Sequence, residues 1–201
     1  MYSLFLILGG ILLLNMEKGQ ETLFFNSLHT PFLDQTFIWI SRLAEIPLFI
    51  FILVVAIRFS YGKGLILLFN CSIVFVVIQF LKKIVFESQV RPALFFQDKI
   101  KLNFADGLHV AYHHSFPSGH TAAAFALFAM LAFLIEKKSW SILFFLLALM
   151  IGISRLYLLQ HFFRDVYVGS IIGVLVSIVF YLTLAQSSFY QNLRWKDKSL
   201  L

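Results

Sequence analysis

Residues 140–166 read WSILFFLLALMIGISRLYLLQHFFRDV, an apolar run that ends in charge. Trp140 to Leu159 supplies 20 residues, of which only Arg155 is charged. An α-helix needs about 20 predominantly apolar residues to cross the ~30 Å hydrocarbon core of a bilayer, so this run reads as a span. A charged side chain near a bilayer core costs roughly 2.5–3.5 kcal/mol on insertion scales, which gives Arg155 a partner or a task. Beyond it, five residues separate Arg155 from His161, and three more separate His161 from Asp165. If that stretch is helical, His161 and Asp165 share a face. A carboxylate on one ring nitrogen fixes the histidine tautomer and leaves the other nitrogen free to attack; the alternative is a structural His–Asp pair.

Composition extends the membrane reading to the whole chain. Of 201 residues, 60% are hydrophobic and 13% charged, with a mean hydropathy of +0.88. A soluble domain of this size has too little interior for so much apolar side chain. The net charge of +6 falls mostly at the ends of apolar runs, so it reads as membrane topology and headgroup contact, not nucleic-acid binding. The one cysteine, Cys71, excludes an intrachain disulfide. No linker or internal repeat divides the chain, so residues 1–201 read as a single domain.

Six spans are expected: Met1 to Asn15, Ile46 to Ser60, Gly64 to Phe86, His120 to Ile135, Trp140 to Leu159 and Val166 to Ala185. The first lacks a basic leader and a small-x-small cleavage site, and reads as a retained helix, not a signal peptide. Between the first two, Glu17 to Glu45 alternates Phe25, Leu28, Phe32, Phe37, Ile38 and Ile40 with polar residues, as an interfacial amphipathic segment does. The expected architecture is therefore all-α, an integral membrane bundle of six helices with one interfacial segment. An even number of spans puts both termini on one side. The short segments there, Arg58/Lys63, Lys137/Lys138 and Arg194/Lys196/Lys198, hold seven of the sixteen basic residues, so the termini are expected in the cytoplasm.

Three clusters fall at helix ends on the opposite side. Lys82, Lys83, Arg91 and Pro92 form the first, either a cationic clamp for phosphate oxygens or lysines that merely snorkel. The second is Phe116-Pro117-Ser118-Gly119-His120-Thr121, before the apolar run to Ile135. Ser118 is a plausible N-cap, and a helix starting here aims free N–H groups and its positive dipole end at an anion, with His120 beside it. A capped helix with an interfacial histidine is the alternative. Ser154-Arg155, His161 and Asp165 make the third.

Taken together, the clusters resemble the type 2 phosphatidic acid phosphatase (PAP2) superfamily, whose signature is Lys-x6-Arg-Pro, Pro-Ser-Gly-His and Ser-Arg-x5-His-x3-Asp. Residues 117–120 match the second motif fully, and Ser154 to Asp165 match the third. The first departs: seven residues separate Lys83 from Arg91, and eight separate Lys82 from it. Lys83 is the expected phosphate-binding lysine, with Lys82 second. The resemblance implies a membrane lipid phosphatase without metal or other cofactor, acting on a lipid phosphate or diphosphate in the bilayer. Undecaprenyl diphosphate, phosphatidylglycerophosphate, phosphatidic acid and lipid A phosphates are the candidate substrates, with a leaning to the first. It implies His161 as the nucleophile that forms a phosphohistidine, Asp165 as its orienting carboxylate and His120 as general acid. Lys83, Arg91, Ser118, Gly119 and Arg155 would hold the phosphate oxygens.

Three other readings meet objections in the sequence. A metal site built from His113, His114, His120, His161 and Asp165 lacks the HxxxH and HxxHH boxes of membrane di-iron enzymes. A non-enzymatic lipid-phosphate binding or transport protein would place charges or Gly/Pro breaks in the middles of paired helices, and helices three and six have none there. A soluble haloperoxidase with the same site conflicts with the apolar composition.

Overall fold

The structure is a computed structural model, and it describes residues 1–135, 137–193 and 196–199. Among the described residues, ten α-helices follow in chain order: α1 (Tyr2–Asn15), α2 (Gln20–Asn26), α3 (Pro31–Arg42), α4 (Ile46–Phe59), α5 (Tyr61–Phe80), α6 (Pro92–Phe95), α7 (Gly119–Ile135), α8 (Lys138–Tyr157), α9 (Phe163–Phe180) and α10 (Ser188–Gln191). α5 and α9 each run on into a π-helical turn, Leu81–Val85 and Tyr181–Ala185. Among the described residues no strand occurs.

Each expected span corresponds to a helix. α5 and α9 with their π-turns, and α8, are long and apolar enough to cross a bilayer alone. α7 is shorter, at 17 residues. α1 and α4, at 14 residues each, reach only about 21 Å. Both are coupled to the interfacial segment through bends, 101° between α1 and α2 and 46° between α3 and α4. The expected amphipathic stretch is thus two helices, α2 and α3. Thr30 caps α3 by accepting the Leu33 N–H at 3.3 Å, with Pro31 in the first turn. Phe25, Leu33, Phe37 and Ile38 pack with Tyr157 and Leu158 at the end of α8, while Phe32 and Trp39 point outwards. The tail returns to the α4–α5 turn, where Ser60 Oγ donates to the Lys196 carbonyl at 2.7 Å; Arg194 lies outside the described residues.

The centre of the bundle is the packing of α7 between α5, α8 and α9. Gly169 and Gly173, four residues apart on α9, face the α7 backbone: a Cβ on Gly169 would lie 2.7 Å from the Ser118 carbonyl oxygen, and one on Gly173 would lie 2.4 Å from that of Ala122. Small residues at this spacing let helices in lipid approach to backbone contact, where dispersion and polar contacts replace the missing hydrophobic drive. One turn deeper, Asn70 of α5 donates to the Ala126 carbonyl at 3.2 Å and to Ser177 Oγ at 3.1 Å, so a buried polar knot joins α5, α7 and α9.

Gly173→Ala is expected to destabilise the protein by about 1–3 kcal/mol, the usual cost of overpacking, because its methyl would meet backbone and not a yielding side chain. A lowered thermal midpoint in detergent checks this; an unchanged midpoint would mean that α7 and α9 are not held in backbone contact.

Candidate active site

α8 ends in a Schellman motif that sets the position of His161. Leu159 occupies the left-handed C′ position, with φ +54°. Its N–H donates to the Leu156 carbonyl at 3.0 Å, and the Gln160 N–H donates to the Arg155 carbonyl at 3.0 Å. A left-handed conformation costs a non-glycine residue roughly 1–2 kcal/mol, and Leu159 is held there by nearly complete burial, at 1% exposure. The next N–H, that of His161, also points at the Arg155 carbonyl, at 3.3 Å. The five-residue spacing between Arg155 and His161 is therefore the length of one helix stop.

Asp165 lies in the first turn of α9 and is the hub of the site. Its Oδ2 accepts from Ser115 Oγ and from the Phe162 N–H, the latter at 3.1 Å, and lies 3.5 Å from His161 Nδ1. Its backbone carbonyl accepts the Ser118 N–H at 2.9 Å, which ties the start of α7 to the start of α9. Nδ1 faces the carboxylate, so Nε2 is the nitrogen left for chemistry. Burial, and then the charges of Arg91, Lys82 and Arg155, hold the His161 imidazole neutral well below the usual histidine range.

A cavity of about 860 Å³ opens between α4, α5 and α7, apolar along most of its length and polar at one end. Lys82, Arg91, Gly119 and His120 stand at that end. Lys82 Nζ donates to the His114 carbonyl at 3.0 Å. Arg91 Nε donates to the His113 carbonyl at 2.9 Å, and its Nη1 to the Gln160 carbonyl at 3.1 Å and side-chain oxygen at 3.2 Å. The three residues of the third cluster lie behind this wall, with Arg155 7%, His161 2% and Asp165 0% exposed. Among the described residues, Arg155 Nε, His161 Nδ1 and Asp165 Oδ1 are buried polar atoms without a hydrogen bond. Such atoms are rare in folded proteins; His161 Nδ1 faces the Asp165 carboxylate, so Arg155 Nε is the donor among them that an anion could take.

Two expectations change. Lys83 is exposed and lies off the cavity, and Lys82 stands in its place. Both lysines lie in a π-helical turn, in which the Phe86 N–H bonds the Leu81 carbonyl five residues back at 2.8 Å, so spacing counted along a regular helix does not fix which of them faces inward. Ser118 is fully buried and serves the start of α7, its hydroxyl 2.9 Å from Thr121 Oγ1 and 3.4 Å from the Thr121 N–H. Its N-capping role holds, and the hydroxyl faces the helix, away from the cavity. Gly119 and His120 line the cavity at the start of α7. His113 and His114 contribute carbonyl oxygens to the two cations, and among the described residues no three His, Cys, Asp or Glu side chains gather as metal ligands would. Ser41, whose hydroxyl accepts from Arg155 Nη1, and Ser115, Gln160 and Glu21 had no signal in sequence, because each meets the site across the fold.

Residues 63–188 match the family model of the PAP2 superfamily. Over 84% of its length the chain superposes on the crystal structure of LpxE from Aquifex aeolicus, covering 97% of that protein with a TM-score of 0.73 and 29% identity. A PAP2-type phosphatidylglycerolphosphate phosphatase from Bacillus subtilis shares the fold, with a TM-score of 0.61, 23% identity and coverage of 94% of this chain and 96% of that one. The bacitracin transport permease protein BcrC of Bacillus licheniformis is 37% identical over 81 residues. That alignment spans 40% of this chain and 38% of the relative.

Lys82→Ala is expected to weaken orthovanadate binding by about 10- to 100-fold, the worth of one hydrogen bond to a charged group, with Lys83→Ala close to wild type. Removing the Lys82 charge also eases protonation of His161, so the acid limb of the kcat/KM profile should move towards neutral pH in that variant alone. Equal behaviour of the two variants would contradict the placement of Lys82 at the cavity.

Proposed function

Since the chain belongs to the PAP2 superfamily, we propose that it is a membrane phosphatase that hydrolyses a lipid phosphate or diphosphate through a phosphohistidine at His161. The observation that carries this reading is the junction of two environments: the cations Lys82 and Arg91, the start of α7 and His120 close one end of a long apolar cleft. Such a site suits an anion on an apolar tail and suits a water-soluble phosphate ester poorly.

In this reading the phosphoryl group sits against Lys82, Arg91, Arg155 and the Gly119 N–H, at the positive end of α7. His161 Nε2 attacks phosphorus, the bond to the lipid oxygen breaks, and His120 protonates that oxygen as it leaves. Asp165 stabilises the imidazolium character that develops on His161. Water, deprotonated by His120, then attacks the phosphohistidine and releases inorganic phosphate with His161 restored. The transition state is rich in charge and only loosely bonded, so positioned cations account for most of the rate. They also remove the need for a metal ion. The termini are proposed to face the cytoplasm and the site the opposite side, in a bacterial cytoplasmic membrane. The whole chain would act as one domain. The tail fits undecaprenyl diphosphate, phosphatidylglycerophosphate, phosphatidic acid or a lipid A phosphate, and the first is preferred.

Purified protein in detergent with EDTA should release phosphate from at least one of these four lipids. His161→Ala and His120→Ala should each lower turnover by about 10³-fold or more while inserting normally into the membrane. Micromolar orthovanadate should inhibit, as a mimic of five-coordinate phosphorus. Binding of all four lipids without phosphate release would favour a non-enzymatic lipid-phosphate binding or transport protein, and loss of activity in EDTA with rescue by a divalent ion would restore the metal reading.

A further inference from the structure

The loop that carries His161, Leu158 to Phe162, is held at both ends by side chains of the interfacial segment. At its start, His29 donates from Nε2 to the Tyr157 carbonyl at 3.0 Å, and its ring stacks on Tyr157 with centroids 4.6 Å apart. His29 Nδ1 lies 2.9 Å from Asp34 Oδ1, which also accepts the Tyr157 hydroxyl at 2.6 Å. At its end, Glu21 of α2 is 8% exposed and accepts the Phe163 N–H on Oε1 at 2.9 Å. Its other oxygen accepts the Gly19 N–H at 3.2 Å.

Two consecutive N–H groups at the start of α9 are thus each held by a different carboxylate: Phe162 by Asp165 and Phe163 by Glu21. We propose that Glu21 is a positioning residue for the nucleophile, acting by satisfying the Phe163 N–H so that Asp165 stays turned towards His161. The N–H groups of a first helical turn have no partner within the helix, and that of Phe163 lies in a part-buried place where Glu21 supplies the acceptor. Without Glu21 the Phe163 N–H competes for Asp165, whose carboxylate lies in the same turn. The His161–Asp165 contact, at 3.5 Å, has little to lose before it is broken. Lys82 and Arg91 are held by carbonyl oxygens of His113, His114 and Gln160 and do not depend on Glu21. The lesion therefore falls on the chemical step and spares substrate binding. His29 acts in the same sense from the other end of the loop.

This inference rests on His161 as nucleophile, and the test separates the two. Wild type, His161→Ala, Glu21→Ala, Glu21→Gln and His29→Ala are purified as full chains in detergent, and kcat, KM, thermal midpoint and orthovanadate affinity are measured for each. Glu21→Ala should lose about tenfold or more in kcat with KM within about twofold, as a displaced catalytic group does. Glu21→Gln keeps a carbonyl oxygen for the Phe163 N–H, gives up only the bond from the Gly19 N–H, and should recover most of that loss. Wild-type kcat in a folded Glu21→Ala protein, or equal loss in the alanine and glutamine variants, would overturn the role of Glu21. Should Glu21→Ala fail to fold, Glu21→Gln at near wild-type kcat beside an impaired but folded His29→Ala supports it, and wild-type kcat in His29→Ala overturns the two-ended clamp. If wild type and His161→Ala release phosphate equally, or neither does, the nucleophile reading has failed. The role of Glu21, which is to position that nucleophile, is then overturned with it.

Discussion

The backbone approach of α9 to α7 is the constraint on which the site depends. Gly169 and Gly173 remove the side chains that would hold the two helices apart, and Gly169 meets Ser118 itself. That contact lets the Asp165 carbonyl take the Ser118 N–H, so the first turns of both helices are joined by a hydrogen bond. His120 on one helix and His161 before the other are thereby placed at a common level. In lipid there is no hydrophobic force to press helices together, so close packing and buried polar contacts carry the association. The Asn70–Ser177–Ala126 knot does the same work deeper in the bundle.

Concentrating cations at a bilayer boundary raises a problem of repulsion and desolvation, and the fold answers it with oxygen atoms. Lys82 and Arg91 donate to carbonyl groups of the loop before α7 and of the loop before α9, and Arg155 donates from Nη1 to the Ser41 hydroxyl. Carbonyl dipoles orient a cation without neutralising it, so the positive field at the end of the cleft persists and adds to burial in keeping the imidazole of His161 neutral. A carboxylate partner for each cation would have cancelled that field. Asp165 is kept back from the cavity and spent on His161, Ser115 and the backbone.

The interfacial helices α2 and α3 are the part of the molecule whose importance was least visible from composition. As an amphipathic stretch they would do no more than lie at the surface of a membrane. In the structure their inner face packs on the end of α8, Ser41 reaches Arg155, and His29 and Glu21 hold the loop around His161. An element anchored by Phe32 and Trp39 on its outer face is therefore in contact, through three side chains, with the centre proposed for catalysis.

By itself, the sequence determined the helical membrane architecture, the order of the spans and the identity of the motif residues. Apolar run length is a local property, and Arg155, His161, Gly119 and His120 sit within short stretches whose spacing is set by one helix end each. Which lysine faces the cavity was beyond it, because the motif spacing that favoured Lys83 carries no mark of the π-turn in which both lysines lie. Ser118 was legible as an N-cap, but which way its hydroxyl faces depends on Thr121 and on the packing of α9. Ser41, Ser115, Gln160 and Glu21 were decided by tertiary structure alone. Their partners lie between 50 and 142 residues away along the chain, and ordinary polar residues in polar loops carry no sign of a contact that exists only once the helices have packed.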